Sequence, residues 1–220
     1  MYYRVQLFRG IVQPNICSYQ LQKAEQITSL VKKTILLFVC SIIIFGLSAY
    51  FGIGNESISK SINQFSAAQF EAHKAWFAIG QVLWGTVWTG FIIFFPALLF
   101  WIFTDLEYRK LVVLQLFITT ILLVEKAIFI PFQLTLGLDD HSSPFSLGVI
   151  FQYVTNNEFI IGFFGAITLF KVGAMFLQYY YLKELTDKTS KQLLFIILAI
   201  NLFFWLFSAM LSTIDLDRLI

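Results

Sequence analysis

The segment TILLFVCSIIIFGLSAYFGIG, Thr34–Gly54, contains no charged residue in 21 positions. As an α-helix rising 1.5 Å per residue it covers about 31 Å, close to the thickness of a bilayer's hydrocarbon core. In lipid the backbone polar groups must be satisfied inside the segment. A helix does this for a single run that lacks the alternation of a barrel strand. Four further runs read the same way: Ala75–Phe103, Leu111–Leu134, Phe159–Leu182 and Leu193–Ile214. The expectation is an all-α, polytopic transmembrane helical bundle of five spans over 34–214. Residues 1–33 form a cytoplasmic segment with amphipathic interfacial helices, and 215–220 an extracytoplasmic tail.

Composition agrees with this reading. Of 220 residues, 58% are hydrophobic and 13% charged, where a soluble domain is about a quarter charged. That excludes a soluble globular domain and a disordered chain alike. A net charge of +2 provides no basic field for nucleic acid. Cys17 precedes the first run and Cys40 lies inside it, so both read as free thiols. The first run reaches span length, which makes it a signal-anchor rather than a cleaved leader.

Orientation follows from Lys and Arg. Arg4, Arg9, Lys23, Lys32 and Lys33 precede span one, Arg109 and Lys110 follow span two, and Lys183, Lys188 and Lys191 follow span four. Against these ten, the opposite side has Lys60, Lys74 and Arg218. The N-terminus is therefore expected in the cytoplasm, the C-terminus outside, and the chain in a cell membrane of bacterial type. In span two, Trp76 and Trp101 are about 37 Å apart along a helix, which suits the two aromatic belts, and Pro96 is expected to kink its inner half.

Three segments outside the spans are patterned. In Tyr2–Gln13, Val5, Phe8, Ile11 and Val12 share a helical face before Pro14, as in a helix lying on headgroups. Ile58, Ile62 and Phe65 suggest a second surface helix. Phe145–Val154 is too short to span and reads as an interfacial or re-entrant piece.

The candidate site residues are polar groups at membrane depth. Glu125 and Lys126 interrupt span three, and Lys171 lies near the middle of span four. About sixteen apolar residues of span three favour insertion by roughly 0.3–0.6 kcal/mol each, and each central charge opposes it by about 2.5–3.5 kcal/mol. The sum is near zero, so this helix needs neighbours. Glu125 and Lys171 fall at similar heights on antiparallel helices and are expected to pair, either as a structural ion pair or as a relay or substrate contact, with Lys126 snorkelling outward. Gln81, Gln115, Gln178 and Asn201 are further polar positions in spans, expected to serve helix packing. Gly162 and Ala166 form a small-xxx-small pair, with Gly165 and Gly173 nearby, and mark the expected tight contact of span four.

Enzymatic signatures are absent. His73 and His141 lie near or beyond the outer surface, and no HExxH, Walker A, GxSxG or CxxC motif occurs. Asp139, Asp140, His141 and Glu158 lack a recognised metal-ligand spacing and read as a solvated loop. Asn55-Glu56-Ser57 fits a glycosylation sequon. The expectation is a protein without catalytic activity, metal or cofactor.

Five spans with an inside N-terminus and an outside C-terminus, preceded by LFRGIVQPN (Leu7–Asn15), resemble the Yip-domain family of small multi-pass proteins, in its bacterial form. The Asp-Leu-Tyr-Gly motif of eukaryotic members is absent, and Asp105-Leu106-Glu107-Tyr108 does not substitute for it. The resemblance implies a non-catalytic accessory or regulatory subunit of an export or trafficking complex. Its partners would be the lipid bilayer and another membrane protein or a second copy. The alternative is a permease whose polar span residues line a path.

Overall fold

A computed structural model of the chain describes residues 1–54, 67–138 and 142–213. Strands β1 (Tyr2–Arg4) and β2 (Gln26–Thr28) pair in parallel, with Tyr3 opposite Ile27. Between them lie helices α1 (Leu7–Val12) and α2 (Pro14–Gln22). Pro14 opens α2, where its missing N–H would have had no intrahelical partner. Past β2 the chain continues as α3 (Leu30–Tyr50), α4 (Ala67–Phe103), α5 (Tyr108–Leu136), α6 (Gly148–Gln152), α7 (Glu158–Gly165), α8 (Leu169–Leu185) and α9 (Ser190–Ser212).

The first 28 residues thus fold as a small cap in which two strands join the expected helices, and the all-α expectation is corrected there. Strand alternation turns Tyr3 and Val5 inward and Tyr2 and Arg4 outward. Val5 therefore does not share a helical face with Phe8 and Val12. The helix begins after Gln6 and buries Leu7 and Gly10, while Phe8 and Val12 remain exposed. Gly10 lies against the Phe117 ring of α5 so closely that a Cβ would collide with it. The Tyr181 hydroxyl of α8 donates to the Gly10 carbonyl at 2.8 Å.

Four helices, α3, α4, α5 and α9, are long and apolar enough to cross a membrane. They mark an integral membrane protein. Their bounds differ from the apolar runs where polar ends join the helix: α3 takes in Lys32 and Lys33 and stops at Tyr50, before Gly52 and Gly54 turn the chain at φ 75° and 79°. Within these helices, 61% of the apolar stretch of α5 is buried in the bundle, against 17% for α3, 28% for α4 and 22% for α9. The helix whose own insertion energy is near zero is the one that its neighbours α3, α4 and α8 enclose.

The fourth run is not one helix. It breaks at Ala166–Thr168 into α7 and α8, neither as long as the other crossing helices. Both pieces nonetheless pack on α9, in antiparallel order. A Cβ on Gly162 would lie 3.5 Å from the Ala209 backbone and collide with Ser212. Phe163 meets Trp205 edge to face, and Gln178 accepts from Asn201 at 3.1 Å. Positions rise on one strand of this pairing as they fall on the other, across the break.

The basic segments gather at one end of the bundle. Lys110 Nζ donates to the Gln22 carbonyl at 3.3 Å, and Gln22 Nε2 donates to the Glu184 carbonyl at 2.7 Å. Lys188 lies 3.8 Å from Asp105. The chain leaves this end along α5 and has returned to it by Glu184. The Ile58–Phe65 pattern, the Asn55 sequon, Asp139, Asp140, His141 and the 215–220 tail lie outside the described residues.

Candidate functional site

The break between α7 and α8 gathers polar groups inside the bundle. Thr168 stops the backbone in an extended conformation, and its side chain accepts the Lys171 N–H at 3.2 Å, capping the new helix. The three residues of the break would leave backbone groups open. Two of these pair with the segment before α6. Leu147 N–H donates to the Ile167 carbonyl at 3.1 Å, and Leu169 N–H to the Phe145 carbonyl at 2.9 Å, so Ser146 and Thr168 sit opposite each other. Irregular backbone at membrane depth is tolerated where protein covers it in this way. Phe145 seals the outer side, packing edge to face on Phe132 of α5 and Phe170 of α8 at 5.7 and 5.4 Å. Phe151 stacks on Phe164 below it.

Both charged residues converge on this break. Lys171 Nζ donates to the Ala166 carbonyl at 2.7 Å, satisfying the C-terminal end of α7. The Glu125 carboxyl lies beside the Thr168 hydroxyl and within electrostatic reach of Lys171. The expected contact pair is thereby corrected. Among the described residues no carboxylate comes within 4.0 Å of the Lys171 ammonium, because the ammonium turns to the α7 carbonyl instead. Thr168 stands some 17 residues from Leu185, about 25 Å along α8, which puts the constellation in the half of the bundle away from the basic end.

Other expectations fall elsewhere. Lys126 does not snorkel outward: its ammonium sits 4.7 Å over the Phe45 ring of α3, a ring that also packs on Trp88. Gln81 is only half-buried and lies beside Gly54. Gly162 and Ala166 are buried, and Gly165 is half-buried near the end of α7. Gly173 is corrected, since a Cβ there would meet nothing within 4 Å. The buried stripe of α8 runs through Ala174, Leu177, Gln178 and Tyr181 instead. Gln115 is fully buried with neither amide atom hydrogen-bonded.

Sequence reasoning missed Thr168 and Ser146. The signal for Thr168 was present: a Thr three residues before Lys171, at the head of an apolar-periodic stretch, is an N-cap pattern. The pairing of Ser146 with it is non-local and leaves no such mark. Comparison with protein families, curated proteins and solved structures finds no match to this chain.

Proposed function

We propose that the chain crosses the membrane five times, N-terminus inside, and acts as a non-catalytic accessory or regulatory subunit that binds another membrane protein through its helices. The return of the chain from Leu136 to Glu184 supports the fifth crossing, with α7 and α8 together as a broken helix beside α9. The side on which Arg4, Arg9, Lys110, Lys183 and Lys188 gather is then the cytoplasmic one.

The observation that carries the accessory reading is an aromatic ladder on α4 and α9. Phe91 stacks on Phe95 at 4.8 Å, both meet Phe204 edge to face, and Phe203 stacks on Phe207 at 6.4 Å. The ladder continues onto the outer surface, where Phe94, Phe203 and Phe207 remain exposed together with Trp84 and Trp101. Rigid aromatic surfaces of this kind suit helix–helix recognition, since they bring area at little rotamer entropy. At the break, Lys171 and Glu125 are engaged with Ala166 and Thr168, which fits charges that build structure. The likeness to the Yip-domain family adds the class of partner, an exporter or a trafficking component.

Gentle extraction through a tag on the N-terminus, followed by mass spectrometry, tests this reading. Recovery of an exporter or trafficking subunit supports it. A partner-free protein that moves a solute in liposomes overturns it. The permease reading draws on one observation, a discontinuous helix with Glu125, Thr168 and Lys171 at membrane depth, the arrangement that lines binding sites in transporters.

A further inference from the structure

The cap at the basic end of the bundle contains a cleft of about 150 Å³, lined by Tyr3, Arg4, Gln6, Arg9, Cys17 and Gln20 among others. Its charge is one-sided. Arg4 and Arg9 are exposed, and among the described residues neither has a carboxylate within 4.0 Å. Arg9 donates its Nε to Gln13 at 3.2 Å, which fixes the stem and leaves the terminal nitrogens of the guanidinium free to face the cleft. Tyr3 is buried on the other face of β1, its hydroxyl turned toward Cys17 and Tyr181. Two unneutralised guanidiniums lining one cleft describe a site missing its anion.

The height of the cleft narrows the choice. Gly10 meets Phe117, nine residues into α5 and so about 14 Å above its start. The cap is therefore wedged into the bundle and does not hang below it. Phe8, Val12, Ile16 and Tyr19 stay exposed along α1 and α2, an apolar stripe that lies at the boundary of headgroups and acyl chains. The cleft opens next to that stripe. Its volume falls below the roughly 300 Å³ at which sites for drug-sized ligands begin, so a phosphate group fits and a nucleotide does not.

We propose that this cleft binds a phosphate anion, held by Arg4 and Arg9 as paired guanidinium forks, with Gln6 and Gln20 donating their amides. In the membrane the phosphate is that of an anionic lipid headgroup. The inference goes beyond the accessory reading and does not depend on it.

The test uses the full chain in nanodiscs. Thermal unfolding is followed in phosphatidylcholine alone, with phosphatidic acid or phosphatidylglycerol added, with inorganic phosphate added, and with oleate as an anionic amphiphile lacking phosphate. The expected result is a rise in Tm with the anionic phospholipids that exceeds that with oleate. In the Arg4→Gln/Arg9→Gln variant the apparent affinity for them falls by about tenfold or more. A rise with inorganic phosphate alone upholds the phosphate site and assigns it a soluble ligand. Equal shifts with oleate and phospholipid, no shift with any phosphate, or an unchanged response in a folded Arg4→Gln/Arg9→Gln protein would overturn the proposal.

Discussion

The Lys171 ammonium donates to the Ala166 carbonyl oxygen at 2.7 Å, bridging the three residues that separate α7 from α8. A single side chain thus closes one helix from within the first turn of the next, where an unpaired carbonyl in lipid would cost several kcal/mol. Glu125 approaches the same break from α5 through Thr168.

Lys171→Met removes that donor and the larger of the two cation attractions on Glu125. A loss of about 1.5–3 kcal/mol is expected, as for a hydrogen bond to a charged group. Unfolding in mixed micelles reads it directly. In a double-mutant cycle with Glu125→Gln the coupling should reach about 0.5–3 kcal/mol, and the double variant should recover part of the folded yield. Strict additivity would mean that the two charges do not interact.

Gly162 and Gly173 provide a contrast on one crossing. Gly162→Leu drives a side chain into Ser212 and Ala209 and should separate α7 from α9, costing about 1–3 kcal/mol by overpacking. Gly173→Leu enters open space and should be neutral or slightly stabilising, since glycine is a poor helix former. Similar losses at both positions, in yield or in Tm, would contradict the α7–α9 packing.

The cap should detach when its seat is disturbed. Gly10→Ala places a methyl group in the Phe117 ring, and about 1–3 kcal/mol is expected to be lost. Phe117→Leu in the same chain should return part of it. Limited proteolysis near Gln13 reports the detachment, with faster cleavage in the single variant than in the double.

Alkaline pH should loosen the cap through Tyr3. Burial, helped by the neighbouring Cys17, pushes its phenol well above the ordinary value near 10. A group whose folded pKa is raised holds its stabilising contribution below the unfolded pKa and loses it as pH rises past that value. From pH 10 upward the native chain should therefore lose stability faster than Tyr3→Phe. Parallel Tm curves for the two would remove Tyr3 as the cause.

Topology can be read by labelling. Single cysteines between Asp139 and Ser143 in a Cys-free chain should react with an impermeant thiol reagent on intact cells, and ones near Lys188 should not. The reverse pattern inverts the orientation. Equal labelling of positions 188 and 220 requires an even number of crossings.

Much of the scaffold was legible in the sequence because apolar length alone specifies it: α3, α4, α5 and α9 each coincide with an uncharged or nearly uncharged run. The charges at Glu125, Lys126 and Lys171 were legible as exceptions within such runs. Their partners were not. Lys171 turns to a carbonyl that exists only because the helix breaks, and the break is supported by Phe145 and Leu147, some twenty residues upstream. Lys126 finds Phe45 on another helix. The two strands of the cap are equally hidden, for three-residue segments pairing across two helices carry no period long enough to detect. What decided each of these cases was a contact between residues far apart in the chain.

The Tyr181–Gly10 hydrogen bond joins residues 171 positions apart, and it has a consequence for the order of assembly. The cap leaves the ribosome well before Tyr181 and Glu184, on which it rests. At about 5–20 residues per second the cap waits on the order of ten seconds or more, with Tyr3, Val5 and Leu7 lacking their final cover. Its docking therefore reports that α8 has reached its place against the cap. A chain arrested before Tyr181 presents an open cap at its amino end, a surface by which quality control could tell an unfinished bundle from a finished one.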